Sequence, residues 1–416
     1  MKAAGPGEQS QLEKSKVLNR SCASSVMRHR KQLYLLACVL FFLIFISLTQ
    51  IEEDCSPVVP HNGSAQESGV WPEPYRRRPE ASEERMWPGD DWSAAWAVAE
   101  QLRRGRVSEL MLSARLRRAM RDHVELNRYG VAFRGRRVLT RSRRQLLCRL
   151  RRQLFGLTLD AREPPFSARR WEEMMPSRTL KELYGARLKT CAVVASAGAI
   201  LHSGLGQDID AHDAVLRFNG APTEGFENDV GTKTTIRLVN SQIMVQPKYE
   251  FTTSALYRNI TLLAWDPSPY NMDLLRWYQE PDSDLFTPYE ERRQLDPNEP
   301  FYIVHPGYIW RLWDFIQGNT IQDIQPNPPS SGFIGITVML ALCERVDVYE
   351  YVPSERQTDL CHYYEDYQDD ACTLGAYHPL LYEKMLVRRM SPTSERTLKV
   401  KGRLTLQGLR NIKCRP

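Results

Sequence analysis

The stretch Cys191–Gln242, CAVVASAGAILHSGLGQDIDAHDAVLRFNGAPTEGFENDVGTKTTIRLVNSQ, carries the pattern that decides the fold. Its apolar run Cys191–Ala195 predicts a short buried strand. Ser196–Gly198 then predicts a tight turn, and Ala199 to about Asp210 predicts a helix with glycines on one side. The stretch therefore begins as a strand, a turn and a helix, in that order.

Polar residues follow each of the first three predicted strands. Ala214–Phe218 and Thr234–Val239 predict the second and third strands, which end at Asn219 and Asn240, while Ser196 follows the first. Open α/β sheets bind ligands beyond the carboxyl ends of their strands. Although a single asparagine there is often only a turn residue, the three together predict a nucleotide pocket.

Strands and helices continue to alternate towards the C-terminus. The predicted strands are short, at four to six residues, and a rigid Pro-rich turn precedes the most apolar helix. The pattern predicts an α/β fold with a largely parallel sheet. The further strands are Thr261–Trp265, Phe301–Val304 and Val346–Tyr351, and the further helices are Tyr308–Gln317, Phe333–Cys343 and Pro379–Arg389.

The N-terminal third differs in composition from the rest of the 416 residues. Leu33–Leu48 is a long uncharged apolar run, and flanking residues bring it to the ~17 that a thin bilayer requires. Basic residues precede it and acidic residues follow it, which predicts a cytosolic N-terminus. A cleaved signal peptide is the alternative, but about 30 residues precede the run and no cleavage site follows. We therefore expect a single-pass type II membrane protein.

This topology divides the chain into four expected parts: a cytosolic tail (1–32), a signal-anchor (33–49), a lumenal stem (50–143) and a folded domain (144–416). Helical periodicity over Asp91–Arg121 predicts that part of the stem is helical. The net charge is +6, and the arginine excess lies between Arg103 and Arg152. Nucleic-acid binding would be one interpretation, but no nucleic-acid-binding motif accompanies the run, so a solvated basic face is favoured.

Six of the nine cysteines fall in the lumenal part: Cys148, Cys191, Cys343, Cys361, Cys372 and Cys414. An even number in an oxidising compartment predicts disulfides, although six cysteines allow 15 pairings. No His/Cys cluster has the spacing of zinc ligands. The sequons at Asn62 and Asn259 predict glycosylation sites, the second if its turn is exposed.

Two segments further along the chain contain groups suited to chemistry. Ser330 or Ser331 can cap the apolar helix, whose N-terminus would bind an anion; an ordinary N-cap is the alternative. The second segment ends at His378, after a loop that two cysteines can close. A lone histidine is more often a satisfied loop residue, but a helix start lowers the pKa of an imidazole and favours the neutral form that a general base needs.

Two Asp-x-Asp patterns, Asp208–Asp210 and Asp282–Asp284, resemble motifs that hold divalent cations. The first falls in a predicted helix and loop rather than after a strand. The second lies beside Trp277 and Tyr278, in a loop suited to stacking on a sugar. Chance accounts for both patterns, and no metal site is predicted.

Several motifs together resemble those of a known family. RFNGAP (217–222) and DVGTKTTIRLVNSQ (229–242) are similar to the large sialyl motif of animal sialyltransferases, in the version found in β-galactoside α-2,6-sialyltransferases. SSGFIG (330–335) and YEYVPS (349–354) resemble the second vertebrate type of that branch. The resemblance spans about residues 190–414. It implies a Rossmann-like GT-A-variant fold in a single catalytic domain, anchored in the Golgi membrane.

The resemblance also implies a reaction and a set of roles. Sialic acid would pass from CMP-sialic acid to the 6-hydroxyl of terminal β-galactose, with inversion and without a metal or other cofactor. His378 would be the base. Donor-binding residues would be Ser196, Asn219, Asn240, Ser330, Ser331, Gly332, Cys361, His362, Thr373 and Tyr377, although the family often has an aromatic residue at the position of His362. Acceptor-binding residues would be Gln242, Asp282, Tyr377 and Lys384. The implied disulfides are Cys148–Cys414, Cys191–Cys343 and Cys361–Cys372.

Other functions remain open at this point. One is transfer in another linkage, α-2,3 to galactose or α-2,6 to N-acetylgalactosamine. Another is a catalytically inactive glycan-binding membrane protein, which would lack the base. A dinucleotide oxidoreductase is excluded, because Gly198, Gly204 and Gly206 do not have GxGxxG spacing. The expected partners are the donor, galactose-terminated glycans and the Golgi membrane, with no nucleic acid and a possible homodimer.

Overall fold

Seven short strands form one sheet at the centre of the structure, a computed structural model that describes residues 92–140 and 142–414. Six of the strands are buried along nearly their whole length, as expected for strands covered on both faces. The strands are β1 (Thr190–Val194), β2 (Ala214–Phe218), β3 (Ile236–Asn240), β4 (Thr261–Trp265), β5 (Phe301–Ile303), β6 (Arg345–Tyr349) and β7 (Arg403–Gln407).

The strand order in the sheet is β5-β4-β3-β2-β1-β6-β7. The first six strands are parallel, and β7 pairs antiparallel with β6 at one edge. The predicted α/β fold with a largely parallel sheet is therefore confirmed. β7 is not predicted, because its alternating buried and exposed residues give a weaker signal than the buried apolar runs. The strand order reverses at β1, which is where such sheets form a ligand crevice.

Helices cover both faces of the sheet and fill the connections between strands. They are α1 (Trp92–Arg103), α2 (Ala114–Leu126), α3 (Arg143–Gln153), α4 (Arg169–Met174), α5 (Leu180–Tyr184), α6 (Gly206–Asp210), α7 (Glu227–Val230), α8 (Ser241–Val245), α9 (Leu274–Gln279), α10 (Phe286–Leu295), α11 (Pro306–Gly318), α12 (Ser331–Leu342), α13 (Ala371–Leu374), α14 (Leu380–Met390) and α15 (Glu395–Lys401).

The most apolar helix, α12, packs directly on the sheet. It contacts β1, β2, β3 and β6, and all but three of its twelve residues are buried. The close approach depends on Gly335, where an added Cβ would lie 2.6 Å from Cε1 of Phe218. The predicted helix Phe333–Cys343 is thus confirmed to within two residues, as the centre of the core.

The helix predicted from Ala199 to about Asp210 is wrong. The chain forms one 3-10 turn at Gly198–Ile200, then a loop, and only then α6. His202 and Gly204 have φ values of 60° and 64°, which end a right-handed helix. The Asp229 carboxylate accepts the backbone N–H groups of both residues at 2.8 Å. A side chain distant in the sequence therefore replaces the helical hydrogen bonds.

The helices of the expected stem pack into the same core as the sheet. α1 contacts α14, and Leu102 and Leu116 are buried within one cluster that also contains Leu386. Nη1 of the buried Arg103 donates to the carbonyls of Pro353 and Ser354, at 3.3 and 3.2 Å. The compact unit has Met86–Pro416 as its limits, so it begins well before residue 144. The predicted tail, anchor, first part of the stem and Asn62 lie outside the described residues.

All three implied disulfides are confirmed. Cys148–Cys414 joins α3 to the last described residue, Cys191–Cys343 joins β1 to the end of α12, and Cys361–Cys372 closes a short loop that ends in α13. Within residues 92–140 and 142–414, no helix has the length and apolarity that a membrane span requires.

Candidate active site

The ends of β2 and β3 bring two predicted donor-binding asparagines together. Asn219 follows β2 with φ 48°, and its Oδ1 accepts the backbone N–H of Asn240 at 3.1 Å. Oδ1 of Asn240 accepts the N–H of Ile243 at 3.1 Å and caps α8. Both side-chain carbonyls are therefore occupied, while both Nδ2 groups stay without an acceptor in the part of the chain that the structure describes. They can donate to a ligand.

Two buried arginines lie beneath this pocket. Arg237 in β3 is 1% exposed, and its Nη1 donates to the carbonyls of Asn219 and Ala221 at 2.8 and 3.0 Å. Arg217 in β2 likewise donates only to backbone and hydroxyl oxygens. Burial lowers the pKa of each guanidinium to about 10, so both remain charged at neutral pH. Neither forms an ion pair with a carboxylate within the described ranges, and together they give the pocket a positive potential.

The sequence alone does not identify these arginines as site residues. The signal was present, because each is a charged residue inside an otherwise apolar strand, and a buried charge is costly unless it has a role.

The N-terminus of α12 adds backbone donors to the same crevice. Ser330 caps the helix by accepting the N–H of Phe333 at 3.2 Å. Glu383 of α14 takes the N–H of Ser330 at 2.8 Å and its hydroxyl at 2.5 Å, and burial raises the pKa of this carboxyl. The backbone N–H groups of Ser331 and Gly332 have no acceptor within the helix, as is usual in the first turn. Within the turn predicted to bind the donor, these two N–H groups can therefore bind an anion.

Ser331 and Gly332 are fixed by aromatic neighbours. The Ser331 hydroxyl accepts Nε1–H of Trp265 at 2.9 Å, which ties the helix to the end of β4. A Cβ on Gly332 would lie 2.6 Å from Cε2 of Tyr351, so a side chain there would displace the turn. The position of the two backbone donors therefore depends on a tight packing arrangement.

His378 lies between this turn and α14. Its Nδ1 is 2.7 Å from the carbonyl of Pro328, and because a carbonyl only accepts, Nδ1 carries the proton. Nε2 then presents a free lone pair. The ring packs against Tyr377 and Trp265, at centroid distances of 4.8 and 6.5 Å. Burial lowers the pKa of His378 to about 4, so the lowered pKa comes from burial rather than from the helix start.

Residues of the expected stem complete the site next to His378. The Tyr129 hydroxyl lies 2.8 Å from that of Tyr377, and the ring of His123 meets Tyr377 edge-on at 5.4 Å. Arg128 pairs with Asp282 at 2.6 Å. No motif points to these residues, since they precede the recognised segments by more than 60 positions. Only the packing of residues 92–140 on the domain brings them here.

Asp282 is held in place by a buried carboxylate that the sequence did not single out. Asp266 is fully buried and accepts the backbone N–H groups of Asp282 and Ser283 at 2.9 and 3.1 Å. It also accepts Nε1–H of Trp277 at 2.8 Å. Burial raises the pKa of Asp266 to about 6. Trp277 is itself fully buried, so of the two aromatic residues in this segment only the partly buried Tyr278 could contact a sugar.

The remaining acceptor candidates are not equally accessible. Gln242 is exposed at the start of α8, beside Ser241, whose hydroxyl also binds Asp266. Lys384 is 6% exposed, and its ammonium lies 5.7 Å above the ring of Tyr351. Burial lowers its pKa to about 8. The structure therefore brings Gln242 and Asp282 to the two sides of Asp266, whereas Lys384 lies inside the domain.

The loop closed by Cys361–Cys372 borders the first strand end. Nδ1 of His362 is 2.6 Å from Glu365, and its ring stacks on Tyr364 at 5.3 Å. The N–H of Tyr363 donates to the carbonyl of Ser196 at 3.0 Å. Thr373 is partly exposed in α13. The disulfide loop thus brings His362 next to the strand end that carries Ser196, and Thr373 follows directly after Cys372.

The first Asp-x-Asp pattern serves the fold. Asp208 accepts the hydroxyl of Tyr349 at 2.9 Å and Nη1 of Arg403 at 2.6 Å, and Asp210 accepts the N–H groups of Thr232 and Lys233. In the second, Asp282 pairs with Arg128 as described. Across residues 92–140 and 142–414, no three His, Cys, Asp or Glu side chains form a group suited to a metal ion. Asn259 is exposed in a turn, at the opposite edge of the sheet.

Comparison with known proteins agrees with this geometry. Residues 160–394 match glycosyltransferase family 29 (sialyltransferase). Curated relatives include "Beta-galactoside alpha-2,6-sialyltransferase 2" of Danio rerio, 58% identical over 320 residues (77% of this chain, 62% of the relative). The protein of the same name from Bos taurus is 57% identical over 324 residues (78% and 66%).

The chain thus aligns with slightly less than two thirds of the length of these relatives. A crystal structure of a mammalian sialyltransferase is 24% identical over 56% of this chain and 79% of its own, but its TM-score of 0.34 is too low to carry an argument. The family match covers more than half of the 416 residues. The chain therefore belongs to glycosyltransferase family 29, the sialyltransferases.

Proposed function

We propose that this protein transfers sialic acid from CMP-sialic acid to the 6-hydroxyl of a terminal β-galactose, with inversion. The observation that carries the proposal is the state of His378: Nδ1–H is bound to the Pro328 carbonyl, and the neutral ring presents Nε2 at the crevice. The α-2,6 linkage and the galactose acceptor are supported by the names of relatives at 57–58% identity.

In this mechanism, His378 acts as the general base. Nε2 takes the proton of the acceptor hydroxyl as its oxygen attacks the anomeric carbon of the donor, on the face opposite the nucleotide. The imidazolium that forms keeps its second N–H on the Pro328 carbonyl, which stabilises the positive charge. With a pKa of about 4, His378 is neutral and ready to accept a proton at pH 5 and above.

The leaving nucleotide phosphate gains negative charge in the transition state. The N–H groups of Ser331 and Gly332 at the start of α12 would donate to it, as helix N-termini commonly do for phosphates. The charges of Arg217 and Arg237 would stabilise the same anion from beneath the sheet ends. These groups supply the electrostatic stabilisation without a divalent cation, so we propose that no metal takes part.

The acceptor sugar would lie along the wall formed by Asp282, Tyr129 and Tyr377. Asp282 would accept sugar hydroxyls while its ion pair with Arg128 holds the side chain in place, and Gln242 would bind from the other side of Asp266. Lys384 would act through its position near Tyr351 rather than by open contact, because it is almost fully buried. The nucleotide would bind at Ser196, Asn219 and Asn240.

Replacement of His378 tests the proposal. We expect His378→Ala to lower kcat by about 10²–10⁴-fold, the usual contribution of a general base, with an unchanged Kd for CMP. His202→Asn is the matched control, since His202 is exposed at φ 60° and asparagine tolerates that conformation. A folded His378→Ala protein with near-normal turnover would contradict the assignment of His378 as the general base.

Product analysis separates the proposed linkage from its alternatives. Incubation with CMP-sialic acid and N-acetyllactosamine should give an α-2,6-linked product by NMR. An α-2,3 product, or transfer confined to N-acetylgalactosamine acceptors, would contradict the assignment. CMP-sialic acid binding without transfer would instead favour the inactive glycan-binding protein.

We also propose that the protein is a single-pass type II protein of the Golgi membrane with its catalytic domain in the lumen. Its three disulfides support an oxidising compartment. Protease protection of an intact-membrane fraction tests this topology: the folded unit, including residues 92–140 and 142–414, should resist digestion until detergent is added. Digestion without detergent would place the domain on the cytosolic side.

A further inference from the structure

A large cleft opens on the edge of the sheet opposite His378. Its volume is about 930 Å³, and it is bounded by the residues that precede the strands, among them Asp213 before β2, Thr235 before β3 and Pro300 before β5. Because β2–β5 are parallel, these amino ends lie at one edge and the donor pocket lies at the other. The cleft is therefore separate from the candidate active site.

Asn259 belongs to the wall of this cleft. It occupies a turn directly before β4, with φ 57° and an exposed side chain. Its side-chain amide makes no hydrogen bond with residues 92–140 or 142–414. Asn259-Ile260-Thr261 is a sequon. The amide nitrogen that a glycan would use is thus free at the mouth of the cleft.

The charges around the cleft cancel. Four cationic residues, Arg187, Lys233, Arg258 and Arg292, are matched by four acidic residues, Asp213, Glu291, Asp296 and Glu299. One pair, Arg292 and Glu299, is joined at 2.6 Å. A balanced lining does not select a phosphate, a nucleic acid or a sialic acid. It fits a neutral ligand with many hydroxyl groups.

The wall also offers groups that bind sugars. The side chains of Glu291 and Asn298 make no hydrogen bond within the described residues, so they can accept from and donate to hydroxyls. Leu295 is 87% exposed on the same wall. A sugar ring has a polar rim and an apolar face, and it would cover this leucine while binding the neighbouring polar groups.

We propose that Asn259 carries an N-linked glycan whose first N-acetylglucosamine residues lie in this cleft as part of the folded domain. The donor would be a lipid diphosphate oligosaccharide of the secretory pathway. Nδ2 forms a bond to C1 of the first sugar and loses one proton, and the lipid diphosphate leaves with the electron pair of the broken C1–O bond. The inference assumes the lumenal topology proposed above, but it does not depend on the transfer reaction.

The size of the cleft agrees with this occupant. About 300–1,000 Å³ is usual for sites that enclose a small ligand, and a neutral disaccharide core falls in that range. Since the cleft and His378 lie at opposite edges of the sheet, the glycan leaves the donor and acceptor routes open. We therefore expect removal of the glycan to change the stability of the domain and not the transfer reaction.

The first test measures occupancy in the full chain, expressed in a secretory host that leaves N-glycans in the high-mannose form. Peptide mass spectrometry should find a glycan on Asn259, and Asn259→Gln should lose the corresponding mobility shift. Asn62→Gln is the matched control, because its sequon lies outside the domain. An unmodified Asn259 in the folded protein from this host overturns the proposal.

The second test asks whether the glycan lies in the cleft. Endoglycosidase H leaves the first sugar on the folded protein, whereas peptide N-glycosidase F removes it. We expect amide exchange in residues 183–187 and 295–300 to become slightly faster after the first enzyme, which removes the second sugar, and about five- to tenfold faster after the second enzyme. The second enzyme converts Asn259 to aspartate, so the Asn259→Gln protein, which lacks both the glycan and the new charge, is measured beside it and should show the same faster exchange.

Asn298→Ala provides a variant in the wall itself. It should keep full occupancy at Asn259 and lose part of the protection, while the Asn62→Gln protein keeps all of it. Equal amide exchange rates with and without the glycan would show that the Asn259 glycan does not lie in the cleft. Slower amide exchange that depends on the glycan at Asn62 would contradict the proposal in the same way. Sialic acid transfer should be the same in all of these proteins.

Discussion

Replacement of Leu102 by alanine tests whether α1 belongs to the folded domain. Leu102 is fully buried, in the same cluster as Leu116 of α2 and Leu386 of α14. Leu→Ala changes at such sites cost about 2–5 kcal/mol, because apolar contact is lost and a cavity remains. Leu110 is the matched control, since it is 82% exposed nearby, and its replacement should cost less than about 0.5 kcal/mol.

Thermal unfolding measures the difference. At about 2 °C per kcal/mol for a domain of this size, Leu102→Ala should lower Tm by about 4–10 °C, and Leu110→Ala by less than about 1 °C. If α1 were a mobile part of a stem, both leucines would be solvated on average and the two variants would unfold together. Equal Tm values for the two variants would refute the packing of α1.

Truncation before Arg143 removes α1 and α2 together. A chain that begins at Arg143 lacks, among other buried side chains, those of Val98, Leu102, Leu112, Leu116 and Met120. At about 1.5–3 kcal/mol for each, the loss is about 8–15 kcal/mol, which equals the total stability of a typical domain. We expect a chain from Met86 to be secreted folded and a chain from Arg143 to be retained or aggregated. Secretion of both with the same Tm would contradict this.

Three further results are expected. The pKa of His378 is about 4 in the folded protein against a usual 6.5, so its contribution to stability is present above pH 6.5 and is lost as the pH falls towards 4. Thermal unfolding of His378→Gln should therefore depend less on pH in that range than unfolding of the unmodified protein. Identical pH dependence in the two proteins would contradict the lowered pKa. Loss of the Cys191–Cys343 bond, which closes 152 residues, should cost about 5 kcal/mol in the chain-entropy model, and a Cys191→Ser/Cys343→Ser protein whose urea midpoint is unchanged would speak against it. Dialysis against EDTA should leave transfer intact, and a loss of activity that Mn²⁺ restores would show that a metal takes part.

The fold was largely predictable because its strands are short apolar runs that end in polar residues. Ala214–Phe218 and Thr261–Trp265 are observed with the predicted limits. The helix expected after Ala199 failed for a reason that local sequence does not contain: the carboxylate of Asp229, 27 residues away from His202, takes the backbone donors that a helix would use. Periodicity predicts local structure only where no distant group competes for the backbone.

The residues of the candidate site likewise divide into those that the sequence predicts and those that only the packing reveals. His378 was predictable because it lies in a recognisable segment, and its neutral state follows from burial. Tyr129 and Arg128 were not predictable, because they reach Tyr377 and Asp282 only through the packing of α1 and α2. Asp266 was equally hidden, since an aspartate before a proline at the end of a strand has the sequence of an ordinary turn.

The central position of β1 has a consequence for the synthesis of the protein. β1 pairs with β2 on one side and with β6 on the other, but β6 follows it by about 150 residues of chain. At about 5–20 residues per second, a ribosome needs about 8–30 s to deliver that partner. For this interval one edge of a buried central strand has open hydrogen-bonding groups. The nascent chain must therefore be shielded in the compartment where it folds, and the bond between Cys191 and Cys343 can form only when that interval has ended.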